Sequence, residues 1–369
     1  MKKGLLALIL AACLPLTGCS AMLERSYEAG QRHEEKPVTA EGSSGLRVEN
    51  YRELVSAVLY LVSQGQEEGT IQLYDYDGEV ESDLTRACLE VATEDPLGAY
   101  CVDYIKHESS RVVSYYQAKL SISYRRTQEE IRSMVNVTGS GAIRAELQEA
   151  LTNFSDQVVL RVAYFAEDEA SILALARQAY YDTPAAALGM PQVEIGLYPD
   201  SGRERVVEIL LTYSEGAEEL RRKSARLAAA GAEFVYPWDM DREAAVRQAA
   251  AEVCYHSGYD PQGGVTAYAA LVEGAANDEG LALAYSLVCR ELERVTCEIV
   301  EGAWQGEPHF WNEVRFSQGE PLYLDLSRFT ELSSTLYTAD EMADMGYRWA
   351  GGPAEESPEE SPQASENTL

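Results

Sequence analysis

The chain has 369 residues, with 61 acidic against 30 basic and a formal net charge of −31. A surface this acidic excludes nucleic acid and anionic lipid headgroups as partners held by charge, since both repel it. With 46% hydrophobic residues, a chain of this length can bury more than one core.

At the amino terminus, Lys2 and Lys3 precede an apolar run from Leu5 to Leu16, interrupted by Pro15. A bilayer-spanning helix needs ~20 apolar residues, so this run is too short, and its flanks fit the h-region of a signal peptide over residues 1–18. Leu16-Thr17-Gly18-Cys19 follows and resembles the bacterial lipobox. The resemblance implies cleavage before Cys19, lipidation of its thiol, and a membrane partnership through that lipid on the extracytoplasmic face of the cell membrane. Each buried acyl methylene adds about 0.8 kcal/mol, so two or three chains anchor stably. No later segment is apolar enough to span a membrane. Removing residues 1–18 leaves 28 basic against 61 acidic residues, a net of −33. Residues 19–45, rich in Ser, Glu and Gly, read as a lipidated Cys and flexible tether.

Beyond the tether, the apolar pattern repeats when shifted by 89 residues. Leu54, Val58 and Leu61 fall on Ile143, Leu147 and Ala150 at helical spacing, and Ile71 and Leu73 fall on Leu160 and Val162 with strand alternation. Leu84 and Ala87 fall on Leu173 and Ala176. Leu120-Ser-Ile122-Ser-Tyr124 falls on Ile209-Leu-Leu211-Thr-Tyr213, and each is followed by Glu-Glu-(Ile/Leu)-Arg, at 129–132 and 218–221. The pattern predicts two duplicated α+β modules, 46–135 and 136–228, each with two helices and about three strands. Neither carries a phosphate-binding glycine loop, a zincin helix or a nucleophile elbow. Gly139-Ser140-Gly141 reads as a turn and helix cap before an anion cradle, and His33 and His107 read as surface residues.

Besides the lipidated Cys19, five cysteines remain after processing: Cys88, Cys101, Cys254, Cys289 and Cys297. None forms a CxxC pair and the number is odd, so spacing gives neither a disulfide framework nor a zinc site. They read as buried fillers, with Cys289 and Cys297 a candidate bridge.

The chemistry-bearing residues lie in the next region, 229–350. Arg242 to Val253 reads as a helix, with Cys254 in the loop after it. Ala267-Tyr-Ala-Ala-Leu-Val-Glu-Gly274 and Asn277-Asp-Glu-Gly280 then lead into a helix from about Leu281 to Leu292. A hairpin follows through Pro308-His309-Phe310-Trp311-Asn312 and Asp325-Leu326-Ser327. Asp340-Glu341-Met342 through Gly346-Tyr347-Arg348-Trp349 closes the region, and 351–369, acidic with Ser and Pro, reads as a disordered tail.

This order of motifs resembles the transglutaminase-like domain, a fold related to the cysteine proteases, over about 110 residues. The predicted fold class is therefore α+β: two duplicated modules followed by a transglutaminase-like domain. The resemblance implies that His309 is the general base, that Asp325 orients it, and that Trp311 and Asn312 belong to a binding cleft. It departs at one point: the position of the nucleophilic Cys holds Asp278. The family's chemistry needs a thiolate at a helix N-terminus beside an imidazolium, whereas a carboxylate is a poor nucleophile toward an amide. Asp278 suits a helix N-cap instead. Cys289 lies 11 residues further on and Cys254 in another loop, so neither substitutes. Two carboxylates around His309 should raise its pKa.

The sequence thus predicts a degenerate triad without cofactor or metal, in a pseudoenzyme that binds a peptide or protein or serves envelope assembly. The alternative is an acyl transferase or peptidase-like hydrolase using an unconventional Asp278/His309/Asp325 site. An Asp/His/Asp trio holding a divalent metal has no further support in the sequence.

Overall fold

A computed structural model of the chain describes residues 45–237, 239–328 and 336–353. The expected signal peptide 1–18, Cys19, His33 and the tether through residue 44 lie outside the described residues, as does the tail beyond Pro353. No helix among the described residues is long and apolar enough to cross a membrane.

The first elements are β1 (Leu46–Val48), α1 (Tyr51–Ser63), β2 (Glu68–Tyr74), α2 (Val80–Thr93), α3 (Pro96–Cys101), β3 (Val102–Val112) and β4 (Tyr115–Tyr124). Helix α1 starts where the Asn50 side chain accepts the Glu53 N–H, satisfying one of the four orphan donors of a helix start. Its Leu54, Ala57, Val58 and Leu61, spaced three and four apart, form the buried stripe. Strand β4 buries Ala118, Leu120 and Ile122 and exposes Lys119 and Ser121, so one face meets the core. The sheet order is β1-β2-β4-β3, with β1 parallel to β2 and the other pairs antiparallel.

Next come α4 (Gln128–Arg132), β5 (Val135–Val137), α5 (Ser140–Asn153), β6 (Gln157–Val162), α6 (Glu169–Tyr181), β7 (Gln192–Tyr198), β8 (Arg205–Thr212) and α7 (Ala217–Gly231). Their sheet has the order β5-β6-β8-β7. Its parallel register, Val135↔Leu160, is that of Leu46↔Ile71 advanced by 89 at both positions. Its antiparallel register, Gln157↔Leu210, is that of Glu68↔Ser121 advanced by the same 89. Each sheet has four strands where about three were expected. The offset fails in one place. Leu84 is fully buried, but its counterpart Leu173 is 43% exposed, whereas Ile172, Ala176 and Tyr180 are buried as their counterparts Asp83, Ala87 and Val91 are, so α6 keeps the stripe and loses one edge of it.

The chain divides into two compact units, and residues of the span 136–228 occur in both. The first lies within Met1–Glu146, Gln157–Ile172 and Glu194–Leu210. Its core gathers Leu54, Val58, Ile71, Leu84 and Leu120 with Val159 and Val206, each worth ~1.5–3 kcal/mol on burial. Glu208 is buried within this unit. One oxygen accepts from Arg126 at 2.5 Å and Tyr198 at 3.2 Å, the other from Gln157 at 2.8 Å. His107, expected at the surface, is partly buried on β3, with Nε2 3.1 Å from the Thr85 hydroxyl.

The second unit, Leu147–Asp156, Leu173–Val193 and Leu211 onward, holds the remaining elements. These are α8 (Arg242–His256), β9 (Gly258–Gly264), a π-helical turn (Ala269–Glu273), β10 (Ala275–Ala276), α9 (Asp278–Cys289), β11 (Val295–Trp304), β12 (Glu307–Phe316), β13 (Leu322–Leu324), a 3-10 turn (Leu326–Arg328), α10 (Ala339–Asp344) and β14 (Tyr347–Trp349). Helix α8 runs to His256, so Cys254 lies within it and not in the loop after it. The antiparallel sheet has the order β13-β12-β11-β14. Gln305 and Gly306, both at positive φ, turn β11 into β12 as a two-residue hairpin. Helix α9 is buried from Gly280 to Cys289. The Asn312 amide donates to the Ala282 carbonyl at 3.0 Å, and the Ser286 hydroxyl donates to the Cys297 carbonyl at 3.0 Å, fixing the helix on the sheet. A Cβ on Gly280 would come within 2.7 Å of the Gly264 carbonyl oxygen, so only glycine allows this approach at the head of α9.

Candidate functional site

Three elements meet at the head of α9. Asp278 is its first residue, but the N-cap is Asn277, whose side chain accepts the Gly280 N–H at 3.0 Å. The N-cap role expected of Asp278 therefore belongs to its neighbour, and the Asp278 carboxylate is free to turn toward β12. Its Oδ2 lies 2.8 Å from His309 Nδ1 and accepts the Phe310 N–H at 2.9 Å. Burial disfavours the charged carboxylate, but His309 and the Phe310 N–H outweigh it and hold the carboxyl below its ordinary range.

His309 is the third residue of β12. Its Nε2 meets Asp325 Oδ2, also at 2.8 Å. Burial works against the imidazolium here too, yet hydrogen bonds and charge from Asp278 and Asp325 prevail and raise its pKa to about 9. The ring is walled by aromatics: Trp304, Tyr347 and Trp311 lie at centroid distances of 5.9, 6.1 and 6.3 Å. The Arg328 guanidinium caps the Trp304 ring at 3.9 Å.

Asp325 follows β13 immediately, and both of its oxygens are fully used. Oδ2 accepts from Tyr347 OH at 2.7 Å as well as from His309; Oδ1 accepts the Ser327 N–H at 2.9 Å and its hydroxyl at 2.7 Å. Tyr347 and Ser327 thus hold the acid that holds the imidazole. Sequence reasoning gave neither of them a role. Beside Asp278, the Glu279 carboxylate accepts from Tyr181 OH at 3.1 Å, and burial raises its pKa.

The site brings together Asp278, His309 and Asp325 as expected. It does not bring Trp311 and Asn312 to a cleft wall. Both are fully buried. Trp311 packs edge-on against Tyr347 and Trp349 at 5.1 and 5.5 Å, and Asn312 spends its amide on α9. They shape the site from behind and cannot touch a ligand in this arrangement. Cys254 comes nearer than expected, its thiol facing the Leu326 carbonyl at 3.8 Å. Burial, with Asp325 adding, pushes that thiol up to about 12, so it stays protonated and unreactive.

The chemical content follows from the charges. One imidazolium lies between two carboxylates, leaving a net negative site at neutral pH. Both ring nitrogens are engaged by carboxylate oxygens. Asp278 takes the Nδ1 side of the ring and Asp325 the Nε2 side. The trio is an ion cluster of one imidazolium and two carboxylates, joined through both ring nitrogens.

No known protein family matches the chain, and no curated protein does. Among solved structures it is similar to Legionella pneumophila LapG in its EGTA-treated form, at 14% identity and a TM-score of 0.25, over 36% of this chain and 73% of that one. The calcium-bound form of LapG gives 13% identity and a TM-score of 0.24, over 37% and 75%. A TGase gives 12% identity and a TM-score of 0.26, over 56% of this chain and 55% of that one. Likeness this slight assigns no fold; by its own elements the chain is a mixed helix-and-sheet protein.

Proposed function

We propose that this chain is a lipid-anchored extracytoplasmic protein, joined to the membrane at Cys19, with a disarmed transglutaminase-like domain over 229–350. Its work is binding a peptide or protein, or assembling the envelope, and not acyl transfer. The observation that carries this reading is the 2.8 Å contact between Asp278 Oδ2 and His309 Nδ1, with Asp325 on the other ring nitrogen. A Cys–His–Asp triad places its thiolate at the first of these contacts. An aspartate there keeps the ion pair and loses the nucleophile, because its attack on an amide would form a mixed anhydride, higher in energy than a thioester. The alternative of an active Asp278/His309/Asp325 hydrolase would need His309 neutral to act as a base, whereas two carboxylates favour its imidazolium form.

The region before this domain is read as two copies of one α+β module. The common 89-residue offset in both parallel and antiparallel strand register supports that reading.

Two measurements on the full-length protein test the proposal. Metabolic labelling with an alkyne fatty acid should mark the wild type and fail to mark Cys19→Ala. The purified protein should show no turnover of a glutamine donor with an amine acceptor, nor of a generic peptide. Turnover abolished by Asp278→Ala would overturn the disarmed site, and labelling that survives Cys19→Ala would overturn the anchor.

A further inference from the structure

Behind the site, at the far end of α9, two thiols face each other. Cys289 is the last residue of the helix and fully buried; Cys297 is the third residue of β11, after seven intervening residues. Ser286 lies three residues before Cys289, on the same helix face. Its hydroxyl bond to the Cys297 carbonyl sets that face against this point of the strand. Cys289 and Asn312 are the side chains near enough to bear on the Cys297 thiol. Both cysteines are free thiols in this structure.

We propose that Cys289 and Cys297 form a disulfide as the chain matures in an oxidising compartment, fastening the helix that begins at Asp278 to the sheet that carries His309. The compartment rests on the extracytoplasmic reading above; the juxtaposition of the thiols does not. The oxidant is a disulfide donor, such as an oxidised dithiol protein or glutathione disulfide. One cysteine thiolate attacks a donor sulfur, forming a mixed disulfide and releasing one donor thiolate. The second cysteine thiolate then attacks its partner's sulfur and expels the other donor thiolate. Two cysteines are oxidised, one donor disulfide is reduced to two thiols, and the two protons lost by the cysteines are taken up by the departing donor thiolates. Burial raises the Cys297 thiol well above its ordinary range, so the folded core offers little thiolate. Cys289, fully buried, lies out of reach of reductants once the bond is made.

The test has two arms, both on the full-length chain. In one, the chain is exported in a bacterial host, extracted in detergent, alkylated under denaturing conditions without reduction, and mapped by mass spectrometry. In the other, chain denatured and reduced is returned to native buffer with glutathione disulfide and mapped alike. The expected result is a linked pair of peptides bearing Cys289 and Cys297, lighter by two hydrogens than their reduced forms, with Cys254 alkylated; Cys289→Ser should leave Cys297 alkylated. Linkage only in the second arm upholds the bond and counts against the extracytoplasmic reading. Alkylated Cys289 and Cys297 in both arms overturn the proposal.

Discussion

Each compact unit has a buried ionic centre, and the two differ in balance. In the first unit, Glu208 faces one guanidinium, from Arg126, and its remaining lone pairs are filled by the neutral side chains of Gln157 and Tyr198. One charge of each sign makes a balanced pair. In the second unit, one imidazolium faces two carboxylates, and the surplus negative charge is held in place by Tyr347, Ser327 and the Phe310 N–H. No packing need calls for a second carboxylate there. An unbalanced, fully hydrogen-bonded cluster that shifts its own proton affinities makes a candidate functional site, whereas a balanced pair is ordinary structure.

The largest test of this contrast is His309→Ala, which leaves two buried carboxylates without their cation. It should destabilise the protein by about 3–5 kcal/mol in urea unfolding. Unfolding across pH should follow. His309 is raised from its ordinary 6.5 to about 9 in the folded protein. Its stabilising contribution is therefore full below the unfolded value and is lost as pH rises through about 9. The urea midpoint should fall between neutral and alkaline pH, and His309→Gln should remove that part of the slope. Tyr347→Phe takes one hydrogen bond from Asp325 and should cost roughly 1–2 kcal/mol. The smallest effect should come from the first unit, where Arg126→Met with Glu208→Leu removes both charges together. A change near zero in thermal unfolding is expected, because a balanced buried pair is often no better than apolar residues of similar volume. A loss as large as that of His309→Ala would erase the contrast.

The sequence made His309 and Asp325 legible because each sits inside a local pattern, Pro-His-Phe-Trp-Asn and Asp-Leu-Ser. The 89-residue shift located both sheets for a similar reason: strand alternation survives in Ile71, Leu73 and their counterparts. What stayed hidden depends on distant contacts. Tyr347 reaches Asp325 across 22 residues, with no spacing rule to announce it. Strand β3 went uncounted because its Lys106, His107, Glu108 and Ser109 give no apolar face, and β1 and β5, at three residues each, are too short for periodicity to register. Trp311 and Asn312 were misplaced because β12 is buried on both faces, which alternation alone does not reveal. Asn277 took the cap from Asp278 by a shift of one residue, the usual precision limit of a helix boundary.

The most direct measurement is thiol reactivity and turnover in Asp278→Cys beside the wild type. If Asp278 stands where a thiolate once paired with His309, the new cysteine should react with iodoacetamide near neutral pH far faster than Cys254. Any gained turnover of a glutamine donor or peptide should vanish in Asp278→Cys with His309→Ala. A new cysteine no more reactive than Cys254, or a wild type that turns over substrate and loses this in Asp278→Ala, would contradict the disarmed site.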